Sequence, residues 1–156
     1  MSFKLARAKS QSIPRVKHLP VAAGSAFKTG ALLVVNASGE FAECGADPAA
    51  IAAVSESGAG ADTSIGNQLG VLGFPPGYVQ GTAVQDEVVF RARYVGSLPA
   101  ADGGSYGVVK DADGLWKVDF TDTTATRVKL VGRLTGSPEN VPEVLVTFNV
   151  ANVQVI

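Results

Sequence analysis

Val21-Ala22-Ala23-Gly24-Ser25-Ala26-Phe27-Lys28-Thr29-Gly30-Ala31-Leu32-Leu33-Val34-Val35-Asn36-Ala37-Ser38-Gly39-Glu40-Phe41-Ala42-Glu43 decides the fold class of this chain. It reads as a compact β unit that runs on to Glu56. Phe27 to Gly30 turns the chain into the apolar run Leu32–Val35. Asn36 to Gly39 turns it back into a strand at Glu40–Glu43. Gly30 and Gly39 stand where a hairpin calls for positive φ, which glycine adopts without a Cβ clash. The run at 32–35 suits a strand buried on both faces, and its periodicity alone also fits a buried helical segment. Asp47-Pro48 then pairs an N-cap residue with a first-turn proline. One helical turn is expected there, followed by a strand through Ile51–Val54 that ends at Gly58 and Gly60.

Working outward, the 156 residues hold one domain with a real core, or a domain plus arms. Eighteen glycines, eight prolines and abundant valine, alanine and threonine point to short strands and turns. Charged residues make up 17%, low for a free monomer, so a partner is expected to cover part of the surface. The single cysteine, Cys44, excludes an internal disulfide. With the single histidine, His18, it also falls short of a zinc ligand set. The basic N-terminus lacks an apolar run of signal-peptide length, and no stretch approaches a membrane span; the chain reads as made and used without secretion.

Charge is unevenly placed. Residues 1–39 carry Lys4, Arg7, Lys9, Arg15, Lys17 and Lys28 and no acidic residue; the other seven basic residues face all fourteen acids. A basic leader on an acidic body fits either a solvated tail or an arm that meets an acidic neighbour. Residues 1–18 are read as an extended arm, disordered or ordered by a partner, long enough to span roughly 60 Å. Lys4, Arg7, Lys9, Arg15 and Lys17 are its candidate contact residues. Deleting the arm is expected to leave the body folded and weaken attachment. Residues 19–156 form one β-rich domain. It carries a glycine- and proline-rich excursion at about 55–81, too apolar for a simple linker, with Phe74 and Tyr78 as a possible interface loop.

From Thr82 the strand signals are clear. Val88, Phe90, Ala92 and Tyr94 share one face, with Arg91 and Arg93 on the other. Trp116, Val118 and Phe120 alternate with Lys117 and Asp119. Val128, Leu130 and Leu134 alternate with Arg127, Lys129 and Arg133, and Val144, Val146, Phe148 and Val150 form the inner face of a last strand. The tail Ala151–Ile156 either continues that strand or docks. No repeat is evident in the sequence. Short, evenly spaced strands predict an all-β fold: a small barrel or sandwich-like body with the arm and the long loop attached.

Catalytic patterns are weak. His18 lies at the end of the leader, where nothing holds it as a general base, and reads as a surface or interface residue. Cys44 has no partner base and reads as a small buried residue. Asp111-Ala112-Asp113-Gly114 opens like a calcium loop but lacks the distal glutamate, so it reads as a hairpin turn. Asp86 and Glu87 read as a turn rather than a glycosidase pair. Gly58-Ala59-Gly60 matches no phosphate-binding loop. Arg91, Arg93, Arg127, Lys129 and Arg133 lack the interleaved aromatics of a nucleic-acid surface and read as a solvated face. No catalytic set, metal site or cofactor is expected.

Several stretches together resemble the head decoration, or capsid cement, proteins of tailed phages. They are Val21-Ala22-Ala23-Gly24, Phe27-Lys28-Thr29-Gly30-Ala31-Leu32, Gly39-Glu40-Phe41, Ala46-Asp47-Pro48 and Ile51-Ala52-Ala53-Val54. The second half of such proteins resembles Tyr106-Gly107-Val108, Gly114-Leu115-Trp116-Lys117-Val118-Asp119 and Val144-Leu145-Val146-Thr147-Phe148. The match covers about two-thirds of the chain in loose patterns; Ala53 stands where many relatives have glycine, and the excursion has no counterpart. The resemblance implies a non-enzymatic virion protein on the outer capsid surface. Its partner would be the major capsid protein and its assembly commonly a homotrimer, with no direct DNA binding and no membrane. The alternative is a virion-associated adhesin or fibre module that grips host glycan through the 65–81 region.

Overall fold

The computed structural model describes residues 3–8, 16–59, 77–85, 88–134 and 142–156. The protein is all-β, as the spacing of short strands predicts. Its strands are β1 (Lys4–Ala8), β2 (Val16–Pro20), β3 (Leu32–Val35), β4 (Phe41–Glu43), β5 (Ala53–Ser55), β6 (Tyr78–Ala83), β7 (Val88–Val95), β8 (Ser105–Lys110), β9 (Trp116–Asp119), β10 (Val128–Arg133) and β11 (Glu143–Phe148). A single 3₁₀ turn, Val150–Asn152, follows.

The second half of the chain makes a closed barrel. β7, β11, β10, β8 and β9 pair in that order, and β9 returns to β7 in parallel through Tyr94↔Val118 and Val95↔Asp119. β1 adds outside this ring, antiparallel on Val88–Arg91 of β7. The first half forms a five-strand sheet in the order β2-β6-β5-β3-β4. It curls until its outer strands touch: Val21, directly after β2, bridges Phe41 of β4 in parallel, and Ala22 N–H donates to Phe41 O at 2.9 Å. Closure removes the open edges that would otherwise template aggregation.

One hydrophobic core runs through both halves, from Leu32, Leu33, Phe41 and Ile51 to Phe90, Trp116, Leu130 and Phe148. Alternation places these residues as read. Val88, Phe90 and Ala92 are fully buried in β7, Trp116 and Val118 in β9, and Val144 and Val146 in β11. Leu32 and Leu33 are both buried, as a strand covered on both faces requires. Phe90 meets Phe148 edge-on at 5.4 Å, and Tyr106 meets Phe120 edge-on at 4.9 Å, the geometry aromatic quadrupoles favour. Gly81 leaves room for the Phe41 ring: a Cβ there would lie 3.0 Å from Phe41 Cζ and from Ala53 Cβ.

Four expectations change. The leader is not simply an arm, because β1 and β2 are strands of the two sheets of this same chain and Phe3 is only 1% exposed. The Phe3 ring lies 5.5 Å from Phe148, and this burial outweighs the polar character of the segment around it. Residues 9–15 lie outside the described residues. Asp47 caps no helix: it has φ +46 within a bend that runs directly to β5, a left-handed conformation that aspartate tolerates. Val150 is 65% exposed, because the 3₁₀ turn ends the alternation of β11 one residue after Phe148. β6 begins at Tyr78 rather than Thr82. The tail docks: Val153 bridges Ile51 in parallel, and the Gln154 amide both donates to Val35 O and accepts from Val35 N–H.

Candidate functional site

Charged and polar side chains gather in three places, each where strands from distant parts of the chain meet. The first joins the halves. Glu43 at the end of β4 accepts the Trp116 indole N–H at 2.9 Å on one carboxylate oxygen. The other oxygen meets Lys110 Nζ at 2.8 Å. Beside it, Lys28 Nζ donates to Asp113 O at 2.6 Å. Arg127 reaches across from the barrel to Pro48 O and Asp47 O of the opposite half. A cleft of about 210 Å³ lies here, lined by Phe27, Lys28, Glu43, Lys110 and Gly114.

The second place holds β1. Glu143, 8% exposed, meets Lys4 Nζ and Arg91 Nε at 3.3 Å each. One buried carboxylate thus ties β11, β7 and β1 together; removing a partner from such a site costs more than the pair contributes in water. The third lies on β6 and its neighbours. The Thr82 hydroxyl and the Gln80 amide both donate to the Glu56 carboxylate, and Gln80 Oε1 stands 3.3 Å from His18 Nε2. A cleft of about 190 Å³ runs between this group and β1, lined by Phe3, Leu5, Val54, Glu56, Thr82 and Phe90.

Glu43 and Glu56 accept hydrogen bonds from neighbouring strands and Glu143 pairs with two cations, so all three carboxylates serve the structure. The predicted contact residues divide accordingly. Lys4 is in the Glu143 group. Arg7 lies in β1 opposite Val89, and Lys17 lies in β2 opposite Gly81, half-buried. Tyr78 opens β6 opposite Pro20. Lys9, Arg15 and Phe74 lie outside the described residues, as do Asp86 and Glu87. The proposed solvated basic face is largely occupied: Arg91 serves Glu143, Arg127 serves the 47–48 bend, and Arg133 pairs with Asp102 at 3.2 Å. Lys129 and Arg133 are exposed, and Arg91, Arg93 and Arg127 are half-buried.

Nothing matches this chain among protein-family models, curated proteins or solved structures. Among the described residues no helix is long and apolar enough to cross a membrane.

Sequence reasoning singled out neither Glu43 nor Glu143. Both look like outward strand residues, and only a second element packed beside each gives Glu43 its donors and Glu143 its cations. Two turn aspartates are legible. Asp111 Oδ1 accepts the N–H groups of Asp113 and Leu115 at 2.9 Å each, and Lys117 Nζ lies 2.7 Å from Oδ2. The Lys117 ammonium first, then the Leu115 N–H, hold the Asp111 carboxyl below its ordinary range. Asp122 is lowered in the same way by the N–H groups of Ala125 and Thr124. A depressed folded-state pKa contributes stability above the unfolded value, about 4, and loses it as pH falls through the lower folded value. Asp111→Asn should therefore lower the melting temperature at pH 7 and flatten its decline toward pH 2. An unchanged acid slope in melts across that range would contradict the assignment.

Cys44 is buried as read, its thiol 3.7 Å from Ala50 O. Burial, then the neighbouring Glu43 carboxylate, pushes the thiol up to about 12. Iodoacetamide at pH 8 should leave it unmodified in the folded protein and alkylate it in guanidinium, read by intact mass. Comparable labelling in both states would contradict the burial.

Proposed function

We propose that this chain is a structural virion protein that binds the outer surface of a bacteriophage head and stabilises the mature shell, without enzymatic activity. Its partner is the major capsid protein, and it acts as a homotrimer. The observation that carries this reading is the use made of charge. Glu43, Glu143, Arg127 and Arg133 each bind another part of the same chain, cross-tying strands into a body suited to resisting deformation. The stretches that resemble decoration proteins support it further. Residues 21–54, which carry most of that resemblance, fold as a set of short strands and turns. Many copies of a modest contact on a closed shell give strong retention through avidity.

The test is reconstitution. Purified chain added to heads that lack it should bind to saturation and raise the temperature at which the heads release DNA. Heads that neither bind the chain nor gain heat resistance would overturn the reading. Binding confined to tails or fibres would replace it with the adhesin.

A further inference from the structure

Strand by strand, the two halves share one pairing order. Label the strands of each half in chain order: β2 to β6 in the first, β7 to β11 in the second. In both, the first strand pairs with the fifth, the fifth with the fourth, the fourth with the second and the second with the third, all antiparallel. In both, the third strand returns to the first in parallel. One such order could recur by chance among small barrels. The register is a stricter test.

The hairpins joining second to third strands fix the alignment. Asn36 N–H donates to Glu40 O at 2.9 Å, Gly39 N–H donates to Asn36 O at 3.0 Å, and Asn36 Oδ1 accepts from Ser38 and Glu40. Asp111 repeats every one of these bonds with Leu115, Gly114 and Asp113. The glycines have φ +77 and +79. Asn36-Ala37-Ser38-Gly39-Glu40-Phe41 thus overlies Asp111-Ala112-Asp113-Gly114-Leu115-Trp116, and both aromatic rings are buried.

From there the pairings can be followed round the ring. Leu33 opposite Glu43 overlies Val108 opposite Val118. Ser55 opposite Gly81 overlies Val128 opposite Phe148. The Val21 N–H to Gly77 O bond, 2.9 Å, overlies the pair Ala92 and Val144. Val21 touches Phe41, so Ala92 should lie beside Trp116, two residues back along both parallel strands from Tyr94↔Val118. That is the observed register. The two rings therefore close with the same strand stagger, the quantity that sets a barrel's size and tilt.

We infer that the chain is a fused pair of one β-barrel module and binds bivalently. Resting on the decoration reading above, each copy spans two neighbouring, equivalent positions of the repeating shell. The residues joining the barrels support this by being different. Glu43 has Val118 as its counterpart, Lys110 has Val35, and Arg127 has Val54. The latch between barrels is thus a feature of this pair, while the five-strand frame is common to both barrels and β1 is added to the second alone. Fusing two modules makes the second contact intramolecular, which raises retention without any new contact. A surface with a single isolated site could not use it; a lattice can.

The experiment is high-resolution imaging of reconstituted heads carrying the full chain. Both barrels of each copy seated on shell subunits related by the local symmetry, one chain to two subunits, is the expected result. One barrel seated and the other pointing to solvent, or one chain to each subunit, would overturn bivalency and leave the decoration reading standing. No ordered chain on the shell would overturn both.

Discussion

Trp116→Ala should cost about 3–5 kcal/mol, the range for deleting a large buried aromatic side chain. The ring is 1% exposed and its N–H is held by Glu43. The substitution therefore opens a cavity in the barrel and leaves Glu43 with Lys110 alone at the junction of the halves. Trp116→Phe keeps most of the volume and strips the donor. Its expected cost is about 1 kcal/mol, the net worth of one hydrogen bond to a half-buried acceptor that keeps its other partner. Chemical denaturation followed by circular dichroism separates the two. Equal costs would mean the ring matters only for packing; a cost under about 1 kcal/mol for Trp116→Ala would mean the core does not run through this residue.

Phe3→Ala should be nearly as damaging, at about 3–5 kcal/mol, or about ten degrees in melting temperature for a domain of this size. Phe3 is buried against Phe148 and brings β1 onto β7. Lys4→Ala is the contrasting variant. It removes one of two cations from Glu143 but leaves Arg91 in place, so its effect should be smaller. Were the leader a dispensable arm, both substitutions would leave stability unchanged and only attachment would fall. A melting curve for Phe3→Ala that overlays the parent would restore that picture.

The strands from Val88 onward were legible because each has one face in the core and one outside, so β7, β9 and β11 announce themselves by alternation. The hairpin glycines were legible because positive φ demands them. The leader was not, because Lys4, Arg7 and Lys17 interrupt the short strands β1 and β2 and leave too few apolar residues to show a period. Asp47 was misread because Asp-Pro signals a helix start locally, whereas the bend that delivers β5 is set by packing around it. The repeat was hidden for a different reason. A barrel register depends on which residues face inward, not on their identities, so Gly81 and Phe148 can hold equivalent places. Only at the Asn36 and Asp111 turns does the backbone require the same residue types, and six residues are a faint signal. Of the polar groups, the turn aspartates could be read locally, while Glu43 and Glu143 owe their roles to partners on strands distant in the chain.

The shell-stabilising role is tested most directly by the number of copies of this chain per purified particle, measured by quantitative mass spectrometry against the major capsid protein. A shell-stabilising protein must be present in fixed proportion across the lattice, because a closed symmetric shell repeats every contact. The expected ratio is one chain to every two capsid subunits. A ratio of one to one would keep the decoration role and exclude the bivalent arrangement. A handful of copies per particle, or none, would contradict the role itself.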